Sequence, residues 1–211
     1  MNLRVDVISD VICPWCYIGK RRLEKAIAEL GMPVEVRWHP FQLNPAMPKE
    51  GLSRREYRTR KFGSWERSQE LDARVIAVGK EEGIDFAFDR IERTPNTLDA
   101  HRLIWLAGRG GVQDAVVEAL FRAYFTEGRN IGDNETLLDV IVDVGLERSA
   151  AEAVLGGDDG MEAVKEGEKL SKQHHVDSVP VFVVNGMFTL AGAQLPEEFL
   201  RLFRESFGPK V

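Results

Sequence analysis

The sequence predicts an α/β protein in which a β-α-β unit and a closing β-hairpin-α unit are separated by a large all-helical insertion. Three observations support this. Alternating apolar segments flank a helical segment near the N-terminus, and a strand-turn-strand-helix pattern closes the chain. Between them, roughly 120 residues follow a helical period. The boundaries fall at residues 1–48, 49–175 and 176–211.

The first strand is Leu3 to Asp10. A helix follows over Gly19 to Leu30, with Leu23, Ala26, Ile27 and Leu30 at helical spacing and Gly31 and Pro33 as its stop. Val34 to Trp38 forms the second strand, expected to be parallel to the first and joined to it right-handedly. His39 to Pro48 carries three prolines and reads as a loop leaving the sheet. From about Ser53 to about His174 the helical pattern is almost uninterrupted, with Leu71, Val75 and Val78 spacing one helix. Thr94-Pro95 reads as cap and first position of another, lined by Ala100, Leu103, Ile104 and Ala107. Val116, Ala119, Leu120 and Ala123 mark the next, and Asp133 caps one through Leu137, Leu138 and Ile141. Ser149 to Glu152 reads as a capping box. Strand character returns at Val179 to Val184, turns at Asn185-Gly186, which suits the left-handed positions of a type I′ hairpin, and continues through Leu190. Pro196 opens a last helix, ending by Gly208-Pro209.

The composition is that of an ordinary folded protein: 211 residues, 44% hydrophobic and 29% charged. A net charge of −6 argues against a general nucleic-acid binder. No run approaches the ~20 apolar residues of a membrane span. The strand pattern begins at residue 3, which leaves no room for a signal peptide, so a cytoplasmic location is expected. Stable disulfides are uncommon there, and a C-x-x-C is more apt to be catalytic or metal-binding than architectural.

The only two cysteines stand as Cys13-Pro14-Trp15-Cys16, between a strand and a helix. At a helix N-terminus, unpaired backbone N–H groups and the helix dipole favour a thiolate. A fall in pKa from about 8.5 to about 7 raises the thiolate fraction at neutral pH from roughly 3% to roughly half, worth about 2 kcal/mol. Cys13 is therefore the candidate nucleophile, and Cys16, one turn on, the resolving thiol. A structural bridge over so short a loop would add little stability. Zinc would need His39, His101, His174 or His175 as further ligands, in a chain without a second C-x-x-C or an H-x(3 to 5)-H, so no metal is expected. Pro180 precedes a segment that reads as a buried strand. A cis Val179-Pro180 bond would fit it there and turn the Val179 backbone toward a substrate, while a trans proline on an edge strand fits the pattern equally well.

Three ordered motifs carry a family resemblance: Cys13 through Lys20, Arg93 through Arg102, and Ser178 through Phe182 with Gly192-Ala193-Gln194. Together they resemble the DsbA-like thioredoxin-fold proteins, specifically the cytoplasmic FrnE-like branch, over essentially the whole chain. The resemblance implies a thioredoxin fold interrupted by a helical insertion, with Cys13 exposed, Cys16 more buried and Pro180 cis against them. It implies a substrate site formed by Pro14, Trp15, Val179 and Pro180, with the helix carrying Asn96 and His101 facing the cleft. Trp15 stands where periplasmic members usually carry histidine. The related kappa-class glutathione transferases and 2-hydroxychromene-2-carboxylate isomerases typically have serine where Cys13 stands, so both cysteines favour redox chemistry.

His101 is a candidate to shuttle a proton or steady the Cys13 thiolate; a packed, hydrogen-bonded histidine is the more ordinary role, as helix capping is for Asn96. Arg54, Arg55, Arg58, Arg60 and Lys61 read first as a solvated helix face, and alternatively as an attraction for the carboxylates of glutathione or an acidic peptide. The expected activity is thiol–disulfide exchange on protein or small-thiol disulfides, with glutathione a possible co-substrate and no resident cofactor. A glutathione-dependent isomerase or transferase and a noncatalytic chaperone-like module are the alternatives.

Overall fold

The computed structural model describes residues 3–173 and 175–207. The N-terminal unit is β1 (Leu3–Ser9), α1 (Pro14–Leu30) and β2 (Val34–Pro40). The helical part opens with a short strand, β3 (Leu52–Ser53), then α2 (Arg54–Phe62) and α3 (Trp65–Glu81). A 3-10 turn over Phe88–Arg90 leads into β4 (Arg93–Thr94). Then come α4 (Leu98–Gly110), α5 (Gln113–Phe125), α6 (Asn134–Val142), α7 (Arg148–Gly156) and α8 (Met161–Gln173). The chain closes with β5 (Val181–Val184), β6 (Phe188–Ala191) and α9 (Pro196–Ser206).

Four strands make one sheet in the order β2-β1-β5-β6, with β1 parallel to β2 and antiparallel to β5. Val5 lies opposite Val184 and Val7 opposite Phe182, so these four buried side chains share one face. α1 and α9 cover that face: Phe182 meets Phe199 edge-on at 4.8 Å, and a Cβ at Gly19 would fall 2.9 Å from the Phe182 ring and 3.1 Å from Pro180. The Asn185-Gly186 turn, both residues with positive φ, joins β5 to β6.

The helical part is tied to the sheet by aromatic stacking and by charge. Tyr17 of α1 stacks on Phe121 of α5 at 5.0 Å, within a cluster that includes Phe86, Phe88 and Phe125. Lys20 is fully buried on α1 and its ammonium pairs with Glu24, with Asp114 at 3.1 Å and with Glu118 at 3.3 Å. Three carboxylates around one buried ammonium offset its desolvation, as isolated burial would not. Glu82, the C-cap of α3, binds Arg22 at 2.6 Å and Lys25 at 2.5 Å, tying α1 to the end of α3. At the sheet edge the Gln113 amide mimics a missing strand: the Trp38 N–H donates to it at 2.9 Å and it donates to the Trp38 carbonyl at 3.1 Å.

Several boundaries differ from the sequence expectation for local reasons. α1 begins at Pro14 instead of Gly19, because proline is pre-set for the first helical position. β1 ends at Ser9, β2 runs on to Pro40 and β5 begins at Val181. His39 and Pro40 are ladder residues opposite Ile8 and Ser9, not loop. Thr94 is not a helix cap: it pairs with Leu52, interrupting the expected helical run, and α4 starts at Leu98. Asp133 caps α6 through the Thr136 N–H, whereas Ser149 lies inside the first turn of α7, whose bonding reaches back from the Ala151 N–H to Glu147. Arg54 and Arg58 are not a solvated face, since both point inward to Asp72. His174, Gly208 and Pro209 lie outside the described residues.

Gly19→Ala gains helix propensity of up to about 1 kcal/mol, but its methyl would have to displace a buried ring and a proline. We expect a net loss of about 1–3 kcal/mol, read as a lower urea midpoint with an unchanged slope; a midpoint equal to or above the parent's would show that the contact relaxes freely.

Candidate redox site

Cys13 is the N-cap of α1, with extended backbone angles (φ −94°, ψ 112°) and no side-chain capping bond. The Cys13 N–H donates to the Asp10 carbonyl at 3.0 Å and the Cys16 N–H to the Cys13 carbonyl at 3.0 Å, which fixes the turn into the helix. Pro14 has no N–H to offer, so the first donors near the sulfur belong to Trp15 and Cys16. Both cysteines are free thiols, Cys13 6% and Cys16 1% exposed, while Trp15 beside them is 39% exposed. Cys13 is thus buried, not exposed as the resemblance implies, and the motif reaches the surface through Trp15, with Cys16 the more deeply buried of the two sulfurs.

The two thiols are displaced in opposite directions. Cys13 is held below the ordinary thiol range by a hydrogen bond from Cys16, with backbone N–H groups of Cys16 and Trp15 adding to it; burial and the Asp10 carboxylate work against ionisation. Cys16 is pushed well above that range by burial, and further by its hydrogen bond to Cys13 and the negative charge there, with Ser9 opposing. One sulfur is thus prepared to attack and the other to keep its proton until the first has reacted.

The Val179–Pro180 bond is cis. It brings the Val179 carbonyl to 3.5 Å from the Cys13 sulfur, 166 residues away in sequence, where it accepts from the thiol. Ionisation gives up that bond and keeps those from the helix. The Gly192 N–H donates to the Pro180 carbonyl at 2.8 Å, so the loop is held by its own hairpin.

On its other side Cys13 opens on a cavity of about 390 Å³ between the C-x-x-C turn and helices α2 and α3. Ile12, Pro14 and Trp15 line it beside Cys13 in the chain, and Tyr57, Phe62 and Phe88 provide aromatic wall. Arg54, Arg58, Lys61 and Arg74 also line it, against the single carboxylate of Asp72.

The structure brings Cys13, Cys16 and Val179 together; Pro14 and Trp15 sit beside the sulfur, and Pro180 follows Val179 against Gly19. Asn96 is elsewhere: its amide donates to the Met47 carbonyl at 2.6 Å and accepts the Leu98 N–H at 2.9 Å, holding the start of α4. His101 is buried near the end of β1, absent from the walls of the cavity; its Nε2 lies 3.4 Å from Asp10 and makes no hydrogen bond among the described residues. Asp10 links the two regions and escaped sequence reasoning. It is completely buried, its carboxylate accepts the Leu43 N–H at 2.7 Å, and its carbonyl holds the Cys13 N–H. The available signal was an aspartate ending a strand directly before a turn, where its side chain can bond nearby N–H groups.

This geometry can be set beside known proteins. The chain is 32% identical to a probable DsbA oxidoreductase, SCO1869, from Streptomyces coelicolor, whose structure superposes with a TM-score of 0.89 over 100% of this chain and 92% of that one. The cytosolic disulfide reductase DsbM from Pseudomonas aeruginosa, in its structure with GSH, shares the fold at 18% identity (TM-score 0.69, 97% and 98% covered). A curated relative, the uncharacterized protein YwbO of Bacillus subtilis (strain 168), is 28% identical over 188 residues, 87% of this chain and 88% of that protein. The DSBA-like thioredoxin domain matches residues 4–204, and with the interrupted thioredoxin fold and the C-x-x-C at its helix N-terminus, the chain belongs to the DsbA-like thioredoxin family.

Proposed function

We propose that this protein is a thiol–disulfide oxidoreductase that works through the Cys13/Cys16 pair. The observation that carries this is the opposed tuning of two free thiols at one helix N-terminus, with the Val179 carbonyl in contact with the outer sulfur. The Cys13 thiolate attacks a disulfide, giving a mixed disulfide and one thiolate product. Cys16 then loses its proton and displaces the second product, leaving Cys13–Cys16 oxidised. The same steps in reverse oxidise a dithiol. The electron pair resides in the cysteines, so the chemistry calls for neither a resident cofactor nor a metal. An extended peptide would align along the backbone at Val179, and Trp15 offers it an apolar contact. Glutathione is a natural small-thiol partner, a choice supported by the fold shared with DsbM. A cytoplasmic setting suits such a pair. No helix among the described residues is long and apolar enough to cross a membrane.

A second reading, a glutathione-dependent isomerase or transferase, is favoured by the cavity beside Cys13, whose size suits a small molecule. Net redox exchange needs both cysteines and isomerisation only the first, so Cys16→Ser separates them. In that variant we expect a disulfide substrate to remain trapped on Cys13 as a mixed disulfide seen by mass, with turnover lost. Turnover that survives Cys16→Ser would favour the isomerase.

The tuning is tested by alkylation against pH. Rate follows the thiolate fraction, so a depressed pKa moves its rise to lower pH. Cys13 should react with iodoacetamide along a curve whose midpoint lies below the about 8.5 of an ordinary thiol, while Cys16 stays unmodified over the same range. Coincident curves for the two cysteines would remove the basis for assigning attack to Cys13.

A further inference from the structure

We propose that the cavity beside Cys13 is an anion-binding site and that the disulfide it takes is a small molecule carrying a carboxylate, an assignment that rests on the exchange chemistry above. The deep wall of the cavity holds more positive charge than the protein itself neutralises. Arg54, with its side chain only 7% exposed, donates to Asp72 at 2.7 Å and lies over the Phe88 ring at 5.0 Å, yet its Nε has no hydrogen-bond partner among the described residues. Arg58 shares the same carboxylate and donates to Ser68 at 2.7 Å. Two guanidiniums thus divide one carboxylate. Burial makes the uncompensated charge costly, and a bound anion would relieve it.

Nearer the mouth, Lys61 and Arg74 line the same cavity, and neither pairs with a carboxylate among the described residues. Lys61 instead donates to the Tyr57 hydroxyl at 2.7 Å. This concentration is local, because the chain as a whole carries a net charge of −6. The aromatic side chains favour an organic ligand over a bare ion, and about 390 Å³ suits a small molecule better than a folded protein. Cys13 in the lining would meet the disulfide, and Arg54 and Arg58 in the same lining would meet the carboxylate.

Atoms and electrons balance without another reagent in a single turnover. Cys13–S⁻ and RS–SR give Cys13–S–S–R and RS⁻. Cys16 then gives its proton to solvent and displaces the second RS⁻. The substrate is reduced to two thiols, and the protein is oxidised by two electrons to the Cys13–Cys16 disulfide.

The test is single-turnover mixing of the reduced protein with 3,3′-dithiodipropionate, which bears two carboxylates, or with neutral 2-hydroxyethyl disulfide. Product formation is followed by acid quench and mass, and each rate is divided by that of free 2-mercaptoethanol with the same disulfide. The expected result is a normalised preference of roughly tenfold for the dicarboxylate. Arg54→Met should lower it. So should the Lys61→Met/Arg74→Met double variant, by roughly threefold, through surface positions that do not test the core. Because the readout is a ratio within each variant, a partly folded sample does not alter it. Equal normalised rates, or a preference untouched by the double variant and by Arg54→Met, would overturn the anion site while leaving exchange chemistry standing. No reaction with either disulfide would overturn the exchange chemistry, and the substrate assignment with it.

Discussion

The antiparallel pairing of β1 with β5 is the contact on which the rest of the molecule depends. It joins the two ends of the chain across the helical insertion, and its register, Val5 opposite Val184 through Ile8 opposite Val181, decides where Pro180 falls relative to Cys13. A slip of one residue would turn Phe182 away from α9 and carry the Val179 carbonyl away from the sulfur. Closing a loop of this length costs on the order of 4–5 kcal/mol in chain entropy. The shared apolar face of Val5, Val7, Phe182 and Val184, buried under α1 and α9, supplies the compensating contacts.

The electrostatics of the site follow from that placement. α1 is fixed on both flanks by ion pairs, through Lys20 and Arg21 to Glu118 and through Arg22 and Lys25 to Glu82, so its N-terminus is held still beneath Cys13. A rigid helix end presents its donors to one sulfur, while burial keeps the proton on the other. The Asp10 carboxylate works against the Cys13 thiolate, and the net lowering comes from hydrogen bonds outweighing burial and that charge. The basic side chains contributed by α2 and α3 line the same cavity as Cys13.

Much of this was legible from residues alone, because the signals were local. Cys13 and Cys16 at a strand-to-helix junction mark a candidate redox pair without reference to anything distant, and Asn185-Gly186 marks its hairpin by backbone preference. The whole-chain motifs also located Pro180, whose pattern alone left cis and trans equally open. What was not legible depended on tertiary partners. Thr94 resembles a cap until Leu52, some forty residues earlier in the chain, claims its backbone. The arginines of α2 read as a solvated stripe until Asp72 of α3 turns Arg54 and Arg58 inward. Asp10 offered only a weak local signal, an aspartate ending a strand before a turn, and its burial between the Cys13 turn and Leu43 is what reveals its place.

The central claim is that Cys13 and Cys16 form one reversible two-electron couple. Equilibrating the protein across a series of reduced-to-oxidised glutathione ratios, then quenching with an alkylating agent and weighing the products, addresses it most directly. The expected result is a single transition in which both thiols vanish together into an internal disulfide, approached equally from the reduced and the oxidised side. Thiols that persist at every ratio, or a stable glutathione adduct on Cys13 with Cys16 still free, would contradict it.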